Sequence, residues 1–195
     1  MGAPVKGIDS RIGFVFQSDA LFPWRTVIEN VMAGPLFRGR AKAEATAAAR
    51  DWLARVGLAR FEHHYPHQLS GGMRQRAVIA MALSCNPALL VADEPTTALD
   101  VTVQAGILDL VRKLRSTHKS AVVFITHDMG VVSELADRVM VMYAGRIVER
   151  GSRTELFSDP RHPYTRALLG SIPPLTGAKP RRLPAIPGSP PSLLR

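Results

Sequence analysis

Two short apolar runs constrain the fold of this chain more than any other feature of its sequence. They occupy residues 88–92 (ALLVA) and 121–126 (AVVFIT), and a segment with helical periodicity lies between them. Continuous apolar runs of this length are typical of strands that are buried on both faces of a parallel sheet. Parallel neighbours need a long crossover, usually a helix. The sequence therefore predicts an α/β fold built on a parallel sheet.

The remaining segments extend this pattern. A short strand is predicted at residues 11–16, and a block with only helical periodicity follows at about 25–85. Within this block, residues 41–56 place five apolar side chains on one helical face: Ala45, Ala49, Trp52, Leu53 and Val56. Residues 63–68 are loop-like in composition. The block is predicted to be a helical subdomain inserted into the sheet core.

The C-terminal third of the chain predicts a different arrangement. A helix at 129–136, strands at 139–143 and 146–149 around a turn, and two short helices follow the second apolar run. Beyond Ile172 the composition shifts to Pro, Gly, Ser and Arg. We expect one domain over residues 1–172 and a C-terminal tail with little order at 173–195.

The net charge of +9 would suit a nucleic-acid-binding protein, but its distribution argues against that role. Ten basic residues lie between Arg138 and Arg195, against the acidic residues Glu149, Glu155 and Asp159. This region has no nucleic-acid-binding signature with interleaved aromatic residues, so we expect a solvated tail or docking surface and no nucleic-acid partner. No apolar run reaches the roughly 18 residues of a spanning helix. A single cysteine and the absence of a secretion signal predict a cytoplasmic location.

Ser70, Gly71 and Gly72 open a predicted helix that runs to about Ser84. A helix start presents unpaired N–H groups and the positive end of the helix dipole, and glycines let a phosphate approach the backbone. The three residues alone also fit an ordinary helix capped by Ser70. The full octet at 69–76 (LSGGMRQR) precedes an apolar helix and an acidic strand end, which favours an anion site.

Asp93 and Glu94 are adjacent carboxylates at the end of the first apolar run. Ligands of α/β proteins bind at the carboxyl ends of parallel strands. One carboxylate can hold Mg²⁺ through water while the next orients an attacking water. Asp-Glu-Pro is also good turn composition, so the pair by itself fits a strand-ending turn as well. Its position after the SGG helix favours the chemical interpretation.

Taken in this order, the motifs resemble those of the ATP-binding subunits of ABC transporters. Residues 13–17 (GFVFQ) are similar to the Q-loop, 69–76 to the signature, 89–95 (LLVADEP) to Walker B and 97–100 (TALD) to the D-loop. His127 follows the second strand, where a lone histidine is usually structural, but its position is similar to that of the switch histidine of this family.

The resemblance implies a P-loop-NTPase-like fold, ATP and Mg²⁺ as cofactors, and a role for each matching residue. It assigns Glu94 and His127 to catalysis, and Asp93 and Gln17 to Mg²⁺. It also implies nucleotide contacts by Gln17, Leu69, Ser70, Gly71, Gly72, Met73, Gln75 and Asp100.

The resemblance further implies partners and a location. Such subunits work as homo- or heterodimers beneath transmembrane permease subunits, at the cytoplasmic face of the inner or plasma membrane, and serve a solute-binding protein indirectly. Residues 84–87, 92–104 and above all 162–169 (HPYTRALL) are similar to dipeptide, oligopeptide and nickel importers, whereas 16–24 (FQSDALFPW) are similar to nitrate and sulfonate importers. The peptide matches are longer, so peptides lead as the expected cargo, and the other solutes stay open.

One motif of this family does not occur in the 195 residues. The P-loop, or Walker A motif, has the form G-x-x-x-x-G-K-[ST], and its backbone N–H groups and lysine enclose the phosphates. None of the lysines follows a glycine: Lys6, Lys42, Lys113, Lys119 and Lys179. We therefore expect an ABC ATPase that is truncated at its N-terminus, and an isolated chain that is inactive.

Two alternatives stay open. The chain could be a non-catalytic subunit that donates its signature motif to the ATP site of a partner. It could also be an ATPase of the same superfamily that acts on chromosomes or ribosomes, although such proteins usually lack the ending found at 162–169 and contain long coiled or tandem regions.

Overall fold

The chain forms two compact units that divide between Thr126 and His127. The structure is a computed structural model, and it describes residue 9 and residues 11–18, 20–97, 99–117 and 120–172. The predicted tail at 173–195 lies outside the described residues. A single ATPase domain over residues 1–172 with a helical subdomain stays a prediction.

Three parallel strands form the sheet of the first unit, so the predicted α/β class is confirmed. They are β1 (Ile12–Val15), β2 (Leu89–Asp93) and β3 (Ala121–Ile125), with β2 in the middle. Val15 of β1 lies opposite Ala92 of β2, and Asp93 of β2 lies opposite Ile125 of β3. The carboxyl ends of all three strands therefore lie at one edge of the sheet.

Helices fill the connections between these strands. The chain between β1 and β2 forms α1 (Val27–Phe37), α2 (Lys42–Arg55) and α3 (Gly71–Leu83), and α4 (Val101–Thr117) connects β2 to β3. No strand occurs among the described residues between β1 and β2. The loop expected at residues 63–68 contains a 3₁₀ turn at Pro66–Gln68, because proline is well suited to the first position of a helical turn.

The predicted apolar face of α2 is buried as expected. Ala45, Ala49 and Leu53 are inaccessible to solvent, and Trp52 and Val56 are nearly so. These side chains share one core with apolar residues of α1, α3, β1 and β2. The 3.6-residue periodicity of the segment therefore predicted the correct face.

The prediction that both apolar runs are buried on both faces is wrong. One face of the sheet contacts the helical core through Val15, Leu90 and Ala92, which are buried. On the other face, Leu89 and Val91 of β2 are only half-buried. The side chains of β1 and β3 on this face stay between 38% and 45% exposed: Ile12, Phe14, Val123 and Ile125. A continuous apolar run shows that a strand can be buried on two sides, but burial depends on what packs against each side.

Asn30 of α1 forms hydrogen bonds with the loop that follows β1. Its side chain is fully buried. The Phe22 N–H donates to Asn30 Oδ1 at 2.7 Å, and Asn30 Nδ2 lies 3.2, 3.1 and 2.9 Å from the carbonyl oxygens of Phe22, Arg25 and Thr26. Thr26 caps α1, and the hydrogen bond from its backbone N–H lowers the pKa of Glu29. One buried amide thus lies within hydrogen-bond distance of four backbone groups of an irregular segment.

Replacing Asn30 with Ala is expected to lower the free energy of unfolding by about 2 kcal/mol, because buried donors and acceptors lose their partner. The nearly isosteric Asn30→Asp should lower it further at pH 7, because a carboxylate would face three carbonyl oxygens. Urea titration followed by circular dichroism measures both changes. An Asn30→Asp variant that is no less stable than Asn30→Ala would contradict the assigned hydrogen bonds.

The second unit contains the elements that were predicted for it. Helix α5 (Met129–Leu135) precedes the antiparallel strands β4 (Arg138–Tyr143) and β5 (Arg146–Ser152), and α6 (Arg153–Ser158) and α7 (Pro163–Gly170) follow. Ala144 and Gly145, with φ of +48° and +75°, form the turn between β4 and β5. Two positive φ values match the twist of a tight hairpin. Across the described part of the chain, no helix is long and apolar enough to cross a bilayer.

Hydrogen bonds connect residues 162–165, the HPYT segment, to β5. The backbone N–H groups of Arg161 and His162 donate to the Glu149 carboxylate at 2.7 and 3.0 Å. His162 Nδ1 accepts from the Tyr164 N–H at 3.1 Å and so caps α7. The rings of Tyr143 and Tyr164 lie 4.4 Å apart. The segment that most resembled peptide importers therefore has a structural role in this unit.

Candidate functional site

Three predicted site residues lie at the carboxyl edge of the sheet. Asp93 is the last residue of β2, and Glu94 follows it. Gln17 follows the end of β1 by two residues. Because Val15 pairs with Ala92, the chain leaves β1 next to the end of β2. The fold thus brings an amide and two carboxylates to one edge of the sheet.

Glu94 has a strained backbone at this edge. Its φ is +49°, a value that non-glycine residues rarely adopt. Its N–H donates to the carbonyl oxygen of Ile125 at 2.9 Å, and its own carbonyl accepts from the Thr97 N–H at 3.1 Å. The Thr97 hydroxyl donates to the Glu94 carboxylate. Such strain persists where the surroundings enforce it and is common at functional sites. The turn that was the alternative interpretation is present, and it orients Glu94.

The start of α3 has the geometry expected of a capped helix. Ser70 is extended, with φ −66° and ψ 163°, and its Oγ accepts from the Met73 N–H at 3.4 Å. Gly71, Gly72 and Met73 form the first turn, whose N–H groups have no intrahelical acceptors. Ser70 is exposed and the other three are half-buried. The helix start is therefore accessible, as an anion site requires.

Two other signature residues belong to the core of the first unit. Leu69 and Gln75 are both buried. Within the part of the chain that the structure describes, Gln75 Nε2 has no hydrogen-bond partner. Their predicted nucleotide contacts would have to come from backbone groups or from a rearranged side chain, and these contacts stay a prediction.

Asp100 and His127 both lie at the start of a helix. Asp100 Oδ1 accepts from the Val103 N–H at 2.9 Å and caps α4. His127 is exposed and directly precedes Asp128, whose Oδ1 accepts from the N–H groups of Gly130 and Val131 and caps α5. His127 belongs to the second unit, so its predicted catalytic role rests on the sequence motif.

The donor set at the sheet edge suits Mg²⁺. The carboxylates of Asp93 and Glu94 and the amide oxygen of Gln17 are hard oxygen donors. Among the described residues, no three His, Cys, Asp or Glu side chains are close enough to share a metal. Mg²⁺ usually binds one or two carboxylates and completes its shell with water and substrate phosphates. The residues present therefore fit a Mg²⁺ ion that binds together with a nucleotide.

Sequence reasoning missed the roles of Asn30 and Thr97. Asn30 lies on the buried face of α1, where a lone Asn in a helical segment gives no sign of its partners. Thr97 lies three residues after Glu94, a spacing that also occurs in ordinary turns. The composition Asp-Glu-Pro suggested a turn, but it gave no sign that Thr97 returns to the Glu94 carboxylate.

Two family profiles match separate, non-overlapping parts of the chain. The ABC transporter profile matches residues 3–97, and the profile of the oligopeptide/dipeptide transporter C-terminal region matches residues 148–195. An AAA domain profile also matches residues 64–133. The first match contains β1, the SGG helix and the acidic pair, and the second contains the HPYT segment.

Comparisons with individual relatives agree with these matches. The chain is 53% identical over 190 residues to the "Probable peptide ABC transporter ATP-binding protein y4tR" of Sinorhizobium fredii, covering 94% of this chain and 57% of that protein. It is 50% identical over 190 residues to the glutathione import ATP-binding protein GsiA of Escherichia coli, covering 93% of this chain and 30% of that protein. The chain thus spans little more than half of the first relative and about a third of the second.

A solved structure has the same fold. It is a dimeric, post-hydrolysis form of the ATP-binding cassette MJ0796 bound to ADP and phosphate, and it matches with a TM-score of 0.65 and 36% identity. The match covers 73% of this chain and 63% of that one. Together with the family profiles and the sequence identities, this places the chain in a known family: it belongs to the ABC transporter ATP-binding proteins, in the branch that carries the oligopeptide/dipeptide C-terminal region.

Proposed function

We propose that the chain is the ATP-binding subunit of an ABC importer and couples ATP hydrolysis to the import of peptides. The observation that carries this proposal is the position of Gln17, Asp93 and Glu94 at the same carboxyl edge of the sheet, in a chain that also presents the accessible start of α3. The peptide and glutathione import functions named for its relatives support the choice of cargo.

Each residue at the edge has a chemical role in this proposal. Asp93 and Gln17 hold Mg²⁺, which neutralises charge on the phosphates when it is bound. Glu94 orients the attacking water and accepts its proton, and the hydrogen bond from Thr97 orients the Glu94 carboxylate. A catalytic role for His127, which belongs to the second unit, is proposed from its sequence motif alone. Phosphoryl transfer depends mainly on positioning and electrostatics, so a strained and well-anchored Glu94 suits it.

The start of α3 is proposed to bind the nucleotide of a second ATPase subunit. A helix N-terminus attracts phosphate, and Ser70 leaves the first turn accessible. A head-to-tail pair of subunits, homo- or heterodimeric, would place each α3 against the sheet edge of its partner. The dimeric state of the similar cassette supports this arrangement.

The loop held by Asn30 is proposed to contact the transmembrane permease. Trp24 in this loop is 71% exposed, and Phe37 at the end of α1 is 75% exposed. The Arg25 guanidinium lies 4.9 Å from the centre of the Phe22 ring, which itself lies 5.8 Å from that of Trp24. Exposed aromatic residues on an anchored loop are typical of a protein interface. The subunit would then lie peripherally at the cytoplasmic face of the membrane.

A second candidate function rests on the accessible start of α3. The chain would donate this helix start to the ATP site of another subunit. In that case the chain would take part in ATP-dependent import without catalysis of its own.

The isolated 195-residue chain is expected not to release phosphate from ATP above background, because most of the catalysis depends on holding the phosphates. The extended chain, in which an N-terminal segment carrying G-x-x-x-x-G-K-[ST] from a similar protein is joined to these residues, is expected to turn over. A phosphate-release assay compares the two. Turnover by the isolated chain that disappears in Glu94→Gln would contradict the first expectation, and an inactive but folded extended chain would favour the signature-donating function.

A further inference from the structure

Helices α3 and α4 interlock through two contacts, each with a glycine on one side. Gly72 of α3 faces Val103 of α4, and a Cβ placed on Gly72 would lie 2.3 Å from Val103 Cγ1. Gly106 of α4 faces Arg76 of α3, and a Cβ placed on Gly106 would lie 3.1 Å from Arg76 Nη2. The two contacts are about one helical turn apart on both helices. Each helix therefore places a large side chain against a glycine of the other.

The two glycines of the signature differ in this respect. A Cβ on Gly71 would lie 3.6 Å from Leu99 Cδ2, which is an ordinary van der Waals distance. A Cβ on Gly72 would overlap a branched side chain whose χ1 is restricted within a helix. Close approach of a phosphate is a reason for glycine at both positions. The packing against Val103 is a second reason, and it applies to Gly72.

The contact joins the starts of two functional segments. Val103, which packs on Gly72, donates its N–H to Asp100 and thereby closes the first turn of α4. Ser70 closes the first turn of α3 through Met73. One turn further along, Arg76 also donates to the carbonyl oxygen of Val56 at 3.3 Å, at the end of α2. The signature and the D-loop are therefore joined by direct packing within one chain.

We propose that Gly72 and Val103 are positioning residues that hold Asp100 in a set place relative to Ser70, so that the signature and the D-loop move as one body. The packing is a property of the chain itself, while its consequence rests on the proposed function. A nucleotide that draws Ser70 towards an opposing subunit would carry Asp100 with it.

Amide hydrogen exchange of the 195-residue chain tests the packing without any requirement for ATP. Gly72→Ala is expected to speed exchange in the first turn of α4, residues 101–105, by about tenfold, because overpacking by one methyl group weakens the local structure. Adding Val103→Ala makes room for the methyl group and is expected to return this exchange to within about twofold of that in Val103→Ala alone. Gly71→Ala is the matched control and should leave residues 101–105 unchanged.

The outcomes separate clearly. Unchanged exchange at 101–105 in Gly72→Ala, or a change that Val103→Ala does not reverse, would overturn the proposal. If Gly72→Ala does not fold, a folded Gly72→Ala/Val103→Ala variant supports the proposal. Failure of that double variant to fold, when Gly71→Ala and Val103→Ala fold, would overturn it. A general loss of stability would also speed exchange in α1 and α2, which the proposal does not predict.

A second measurement addresses the consequence for function. In the extended chain carrying Glu94→Gln, Gly72→Ala should weaken ATP-dependent dimerisation about tenfold, and Val103→Ala should restore it. If the Glu94→Gln chain does not dimerise on ATP at all, the proposed function fails while the exchange result stands. If it dimerises and Val103→Ala gives no rescue, the positioning role is wrong.

Discussion

Replacing Glu94 with Gln in the extended chain is expected to reduce ATP turnover by at least about a hundredfold, because a general base contributes on the order of 10²–10⁴ to the rate. Gln is nearly isosteric and can keep the hydrogen bond from the Thr97 hydroxyl, so the turn around Glu94 should persist. ATP affinity should change little, because the interaction that is lost belongs to the transition state. Phosphate release and equilibrium binding of a fluorescent ATP analogue measure the two quantities separately.

His127→Ala belongs to the same prediction and should also lower the rate without lowering affinity. Glu44→Gln, which removes an exposed carboxylate from the first turn of α2, is the matched control and should leave the rate unchanged. Equal losses of ATP affinity and rate in Glu94→Gln and His127→Ala would make both residues structural. The acidic pair would then be the strand-ending turn that its composition also allows.

Gly71→Asp is expected to abolish ATP-dependent dimerisation of the extended chain that carries Glu94→Gln. The substitution puts a carboxylate where the γ-phosphate of the opposing subunit is proposed to bind, so like charges would repel each other. The fold should be spared for two reasons. Among the described residues, a side chain at Gly71 meets only Leu99, at an ordinary contact distance, and a carboxylate in the first turn of a helix interacts favourably with the helix dipole.

Size-exclusion chromatography with and without ATP compares the two proteins. Gly170→Asp is the control for added charge, because a Cβ at Gly170 has no neighbour within 4 Å in the described structure. Circular dichroism checks that the Gly71→Asp protein is folded. A Gly71→Asp protein that still dimerises on ATP would show that the start of α3 is an ordinary capped helix.

Local patterns of the sequence were sufficient for much of the fold. The spacing of apolar residues predicted α2 and its buried face, including Ala45 and Trp52, and the apolar runs predicted β2 and β3. Ser70 was identified as a helix cap because the bond it makes is to a residue three positions away. Features of this kind depend on neighbours in the chain, so the sequence alone determines them.

The same patterns predicted which residues could form the site. Strand ends in a parallel sheet meet at one edge, and the structure does bring Gln17 to the same edge as Asp93 and Glu94. The roles of these residues in nucleotide binding stay predictions. Their orientation was beyond the sequence, because Glu94 has a left-handed backbone whose N–H donates to the carbonyl oxygen of Ile125 in β3, a residue distant in the chain.

Tertiary packing decided the rest. Periodicity shows which side of an element is apolar, but it does not show what packs there, and Val123 and Ile125 therefore stay partly exposed on a strand that was expected to be buried. The hydrogen bonds from buried Asn30 to the loop could be recognised only from the tertiary structure, which places Phe22 beside it. In the same way, Gly71 and Gly72 are equivalent in the sequence, and the approach of Val103 from a helix thirty residues further along the chain distinguishes them.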